Sequence, residues 1–149
     1  MKTMLNNMLG FFILVNWEWP LRLLFALGAN TTAVDERGDE HFYNAIIFSR
    51  ANAVKVFLEQ PELDINSTFY HGYSPLMNAV TNGDIKIIKL LIDAGADIHY
   101  SGPGYMALDI ARLHQQPLLK GNPTNKKYDD IVEILLQAGA VETFPLDKK

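Results

Sequence analysis

A chain of 149 residues can build one domain with a sizeable core and is too short for two comfortable ones. Its 48% hydrophobic and 20% charged residues exclude disorder as the overall state, and a net charge of −4 argues against a duplex nucleic-acid binder needing many phosphate contacts. The absence of cysteine excludes disulfides and thiolate metal sites and fits a reducing cytoplasm.

The chain opens with Lys2 ahead of an apolar run, Met8–Val15, and Ala26-Leu27-Gly28-Ala29 has the composition of a signal-peptidase site. Asn16, Glu18, Pro20 and Arg22 interrupt the run, so no apolar stretch of about 18 residues is available to span a membrane. Two readings stay open for Phe11, Phe12, Trp17 and Trp19. They seal the first unit as a cap, or they join it to a second copy or another partner.

Sliding the chain along itself exposes a repeat. Gly72-Tyr73-Ser74-Pro75-Leu76-Met77-Asn78-Ala79 opens a unit that closes on Leu90-Leu91-Ile92-Asp93-Ala94-Gly95-Ala96-Asp97. Gly104-Tyr105-Met106-Ala107-Leu108-Asp109-Ile110-Ala111 opens another, closing on Ile134-Leu135-Leu136-Gln137-Ala138-Gly139-Ala140. The opening glycines lie 32 residues apart and the closing ones 44, which leaves about 12 extra residues inside the later unit, within 114–127. Upstream, Gly38 precedes Gly72 by 34, and Phe42, Ala45, Val54, Val56 and Phe57 fall under Leu76, Ala79, Ile88, Leu90 and Leu91. Leu21, Leu23, Leu24 and Gly28-Ala29-Asn30 fall under Ile88, Leu90, Leu91 and Gly95-Ala96-Asp97. Cleavage near Ala29 would remove both helices of that first unit, so the register speaks against a signal peptide.

This pattern resembles the ankyrin family, with its period of about 33 residues and its T-P-L-H-x-A signature. Ser74-Pro75-Leu76-Met77-Asn78-Ala79 is a near variant, and Gly-Ala-Asp after a Leu-Leu pair is the second hallmark. The resemblance implies an all-α ankyrin-repeat solenoid of about four helix-turn-helix repeats with short hairpin-like loop tips. It gives a single domain over 1–149, with repeats at about 1–34, 35–68, 69–100 and 101–142. The second unit departs from the motif with Gln60-Pro61-Glu62-Leu63 at its closing turn, and the fourth lacks the Thr/His pair.

Local chemistry agrees with that frame. Ser74 and Pro75 suit a helix N-cap and first turn, and Asp84 caps the following helix. Ile85, Ile88, Leu91 and Ile92 recur at helical spacing as its buried face. At the other end of the chain, Asp129, Asp130, Glu133 and Gln137 interleave with Ile131, Ile134 and Leu135, as a capping repeat requires.

Catalysis finds no support in the residues. His41, His71, His99 and His114 are scattered, with no i, i+4 pair for a metal. No nucleophile elbow, phosphate loop or dinucleotide fingerprint occurs, and neither metal nor cofactor is expected. Asp35, Asp64, Asp84 and Asp97 read as turn and cap residues.

The resemblance implies a protein partner on a concave face built from loop tips and first helices. On this chain the tips hold Glu36, Arg37 and Asp39, then Tyr70, His71 and Tyr73, then Tyr100, Pro103 and Tyr105. First-helix positions on that face are Ile47 and Phe48, Thr81 and Asn82, and Leu113 and His114. Tyrosine-rich tips suit an interface, because tyrosine gives large contact area at low entropic cost; the alternative is that they pack tip against tip. The role expected first is a small cytoplasmic immunity protein that holds a secreted bacterial toxin. A scaffold or adaptor linking cellular proteins is the alternative.

Overall fold

In the computed structural model, residues 2–35, 37–116 and 125–142 are described, and all regular structure among them is helical. Among the described residues eight α-helices form four sequential hairpins. They are α1 (Lys2–Leu14) with α2 (Glu18–Ala26), α3 (His41–Ile47) with α4 (Ala51–Leu58), α5 (Pro75–Asn82) with α6 (Ile85–Asp93), and α7 (Ala107–Gln115) with α8 (Lys126–Gln137). The all-α repeat architecture read from the sequence is therefore present. The chain divides into two compact units, Met1–Ser67 and Thr68–Lys149.

In the first unit α1 packs on α2 and α3, and α4 packs on α2 and α3. Leu5, Leu9 and Ile13 of α1 and Leu21 and Leu24 of α2 are buried with Phe42, Ile46, Val54 and Phe57 of the next hairpin. Three rings form the centre: Phe57 meets Phe25 edge-on at 5.1 Å and Phe42 at 5.5 Å. Leu23, placed by register beside Leu21 and Leu24, is instead exposed.

The link between the two helices of a hairpin carries a left-handed residue three times at the repeat spacing: Asn16 (φ 56°), Ser49 (φ 54°) and Gly83 (φ 65°). At Asn16 this conformation brings the side chain to the start of α4. Its Oδ1 accepts from the backbone N–H groups of Asn52 (3.1 Å) and Ala53 (3.2 Å), while the Asn52 amide donates to the Asn16 carbonyl (3.3 Å). The residue preceding α4, Arg50, makes no side-chain cap. A residue of the preceding repeat thus caps this helix, filling donors that a helix N-terminus leaves orphaned.

The unusual closing turn of the second repeat is closed by its own glutamine. The Gln60 amide donates to the Val56 carbonyl at 2.9 Å and its backbone N–H to Phe57 at 3.0 Å. Two carbonyls at the end of α4 are satisfied there without a left-handed glycine.

In the second unit the helix starts follow their sequence signals. Ser74 Oγ accepts from the Met77 N–H (3.3 Å) with Pro75 in the first turn, and Asp84 Oδ1 accepts from Ile87 (3.1 Å). The α7 start uses a substitute: the Asp109 carboxylate reaches back to the Met106 N–H at 2.8 Å. Leu76, Met77 and Val80 of α5, Ile87, Ile88 and Leu91 of α6, Leu108 and Ala111 of α7, and Ile131 and Leu135 of α8 form the core. Ile87 is fully buried while Ile85 and Ile92 are half-buried, so the apolar face of α6 is centred differently from the sequence reading. On α8, Asp130, Glu133 and Gln137 are exposed between buried Ile131 and Leu135.

Candidate functional site

The tip of the second repeat is organised by one carboxylate. Asp35 Oδ1 accepts from the backbone N–H groups of Arg37 (2.8 Å) and Asp39 (3.1 Å), and Oδ2 accepts from the Asn44 amide of α3 (2.9 Å). The Asp35 N–H donates to the Asp39 carbonyl at 2.8 Å, and a single antiparallel bridge joins Val34 to Glu40. Partial burial pushes the Asp35 carboxyl up. The hydrogen bonds from Asn44, Arg37 and Asp39, with the nearby His41, outweigh it and hold the group below its ordinary 3.8. Asp64, Asp84 and Asp97 likewise accept backbone N–H bonds, from Asn66, Ile87 and His99.

Beside this tip a groove of about 650 Å³ runs between α1 and α3. Its apolar lining is Ile13, Leu14, Val34 and Phe48, and its polar lining is Asn7, Asp35, Arg37, His41 and Asn44. Phe48, Leu14 and Val34 are each about half exposed, which is costly to leave facing water. Of the tip residues singled out in the sequence, Arg37 is exposed and Asp39 half-buried. Arg37 and Phe48 both line the groove; Glu36 lies outside the described residues.

His41 is buried at the back of the groove, and its ring atom Cε1 lies 3.3 Å from where a Cβ on Gly10 would sit. Its Nε2 is 3.1 Å from the Asn6 carbonyl of α1, so Nε2 carries the proton and donates. Nδ1 is buried and has no hydrogen-bond partner among the described residues. Burial lowers the imidazole pKa below 6.5, against smaller upward effects of the Asn6 carbonyl and Asp35. The folded state therefore disfavours the imidazolium, and the unfolded chain takes up the proton first as pH falls. This contribution to stability is present above about pH 6.5 and is lost as pH drops through 6.5 toward the lower folded value. Asp35 acts lower: its contribution is present above 3.8 and is lost as pH falls through its depressed folded value. Urea midpoints at pH 7.5 and 5.5 are expected to fall for the wild type and to fall less for His41→Gln. Equal slopes for the two proteins would show that His41 does not titrate in this way.

In the second unit the two tips are joined. The Tyr100 hydroxyl donates to the Gly72 carbonyl at 3.1 Å. A Cβ on Gly102 would fall 2.5 Å from that same oxygen, so only glycine fits where the tips touch. His71 is exposed, with φ 63°, and Tyr73 and Tyr100 are half-buried. Tyr70 opens a short 3-10 turn, and its side chain lies outside the description. Tyr105 is exposed and lines a second groove of about 320 Å³ with Leu108, Asp109, Arg112, Leu113, Gln116 and Glu142. Arg112 spans this groove, bonded to Gln115 and to Glu142.

The first-helix positions of this unit are partly used internally. The Tyr128 hydroxyl donates to the Thr81 carbonyl at 2.9 Å, and Lys127 Nζ to the Asn82 carbonyl at 3.4 Å. The His114 ring stacks on Tyr128 at 4.8 Å, with its other face exposed. Burial raises the Tyr128 pKa, which keeps the hydroxyl protonated as a donor. Residues 117–124 of the expected insertion lie outside the described residues.

Sequence reasoning missed the groove walls on α1 and the buried His41. Asn7, Gly10 and Leu14 carry no local signal, because only tertiary packing sets them opposite α3. Among the described residues no three His, Asp or Glu side chains gather to hold a metal ion, and no helix is long and apolar enough to cross a membrane.

Residues 19–101 match a family model described as ankyrin repeats (3 copies). The chain is similar to alpha-latrocrustotoxin-Lt1a of Latrodectus tredecimguttatus, 33% identical over 66 residues, which is 44% of this chain and 5% of that protein. It is 30% identical over 91 residues to the ankyrin repeat, SAM and basic leucine zipper domain-containing protein 1 of Notamacropus eugenii, covering 59% of this chain and 19% of the other. A bacterial relative, the ankyrin repeat protein YahD of Escherichia coli (strain K12), is 26% identical over 126 residues, covering 80% of this chain and 57% of YahD. The chain thus spans between a twentieth and somewhat over half of the length of these relatives.

Proposed function

The chain belongs to the ankyrin-repeat family, whose repeats are protein–protein interaction modules, and we propose that it is a dedicated binder of one protein partner. It acts by contact alone, without catalysis, and in the cytoplasm. The partner this reading favours is a secreted bacterial toxin, with the chain as the immunity protein that covers its active site or substrate path. The observation that carries the binding reading is the groove beside the second tip. Its half-exposed Phe48, Leu14 and Val34 offer an apolar anchor site, and ionised Asp35 and Arg37 at its edge supply orientation. Tyr105, His71 and His114 offer a separate exposed surface on the second unit. The likeness to a bacterial ankyrin protein over 80% of this chain supports the bacterial part of the reading. The outer face of α1 and α2 is left for a second copy of the chain.

A second reading, an adaptor linking cellular proteins, draws support from relatives in which the matched segment is 5% or 19% of a much longer chain. Affinity capture from source cells separates the two. The immunity reading expects one dominant partner whose toxic activity is suppressed by the purified chain. It also expects that partner to be lost on changing Phe48→Asp together with Tyr105→Ala, with circular dichroism unchanged. Capture of several partners without inhibition supports the adaptor. Full binding by the double variant would remove the groove from the reading.

A further inference from the structure

We infer that two copies of this chain associate through the outer face of its first hairpin. On α1 and the residue that follows it, Met4, Met8, Phe11 and Val15 are exposed at 4-3-4 spacing, which forms a continuous stripe on one face. On α2 and its C-cap, Trp19 (69% exposed), Leu23 and Leu27 form a second stripe at spacings of four. Both stripes point away from the next hairpin. Gly10 and Ile13 turn toward α3, where Gly10 meets His41, and Glu18, Arg22 and Phe25 turn toward α4, where they meet Lys55, Glu59 and Phe57. At 100° per residue the first stripe lies roughly opposite its contacts, and the second is turned from its own by well over a right angle.

The area decides what covers this face. With a large open side chain contributing about 150–250 Å², the partly exposed residues of the stripes sum to roughly 750 Å². That exceeds the 300–600 Å² or so of the largest apolar patch on a typical monomer. It also comes close to the ~800 Å² per partner of a stable complex, and homodimer interfaces are the more apolar class. A two-fold axis lets one patch cover its own copy, so no complementary surface has to be found elsewhere. Nor does association strand a charge. Glu18, Arg22, Lys55 and Glu59 along the edge are already paired with one another at 2.6–3.6 Å. By contrast α8 interrupts its outer face with Asp130, Glu133 and Gln137.

Both tryptophans of the chain, Trp17 and Trp19, are exposed in this first hairpin, so selectively excited tryptophan fluorescence reports on it alone. Sedimentation equilibrium of the purified full chain from about 1 to 200 μM is expected to approach twice the 16.8 kDa of one chain. Tryptophan emission should move to the blue over the same range, with less acrylamide quenching. Phe11→Glu with Leu23→Glu, both exposed positions, is expected to give a folded monomer with concentration-independent emission. A wild-type mass of one chain up to 200 μM overturns the proposal, and so does dimerisation that the double variant leaves intact. Should the variant fail to fold, the concentration dependence of wild-type emission still decides, since association through any other face leaves both tryptophans unchanged. A purified chain that stays monomeric and is covered there only by a different protein also overturns it.

Discussion

Replacing Phe57 by alanine is expected to destabilise the first unit by about 3–5 kcal/mol, the usual cost of deleting a fully buried aromatic ring. The ring has no exposed surface, meets Phe25 edge-on and Phe42 at a tilt, and so joins both hairpins of the unit. Alanine loses the transfer energy of the ring and leaves a cavity that two helix pairs would have to close by moving together. Whole domains are stable by only about 5–15 kcal/mol, so this one change consumes much of the margin. Phe57→Leu keeps most of the volume and is expected to cost markedly less. Urea unfolding followed by the emission of Trp17 and Trp19 reads this unit, because both tryptophans lie in its first hairpin. A Phe57→Ala midpoint close to wild type would show that the three-ring cluster is not the centre of the unit.

Asn16→Ala is expected to cost about 2–3 kcal/mol, although the residue is polar and only half-buried. Alanine orphans the Asn52 and Ala53 N–H groups at the start of α4 and must still adopt φ 56°. Two lost bonds at about 1 kcal/mol each, plus about 1 kcal/mol of left-handed strain, make up the figure. Asn16→Gly removes only the bonds and should fall between alanine and wild type. Hydrogen exchange supplies the local readout: the Asn52 and Ala53 amides should exchange faster in both variants. Unchanged protection at these two amides would show that the cap contributes nothing.

The same residue marks the boundary of what the sequence makes legible. Ser74, Pro75 and Asp84 act within three or four residues of themselves, so their roles as caps are written in the local string. Repeat register is equally local in origin, being a comparison of one stretch with another at a fixed spacing. Asn16 acts on residues 36 and 37 positions away, and nothing in its neighbourhood announces that. His41 is similar: one histidine among four, it is buried because Gly10 of α1 leaves space for its ring. Tyr100 bonds the neighbouring tip while Tyr105 stays open, a difference set by the close approach of Gly102 to the Gly72 carbonyl. Of the tyrosine-rich surface, then, composition pointed to the region, but only tertiary contacts distinguish an internal strut from an available side chain. On α6 the pattern placed the apolar side and missed Ile87, because a helix packed on more than one side needs a wider stripe than four spaced residues describe.

The anchoring of α8 has a practical consequence for anyone re-engineering the chain. Tyr128 and Lys127 bond the carbonyls of Thr81 and Asn82 and fill the space left by the missing side chain of Gly83, so the start of α8 is fixed by the preceding hairpin. The Gln115 amide adds a 2.7 Å bond from the end of α7 to Asp129. These contacts tie α8 to both α5 and α7 through its own side chains. A shortened version of the chain that ends before α8 would bare those carbonyls together with the apolar face of α7, so a minimal form has to keep α8.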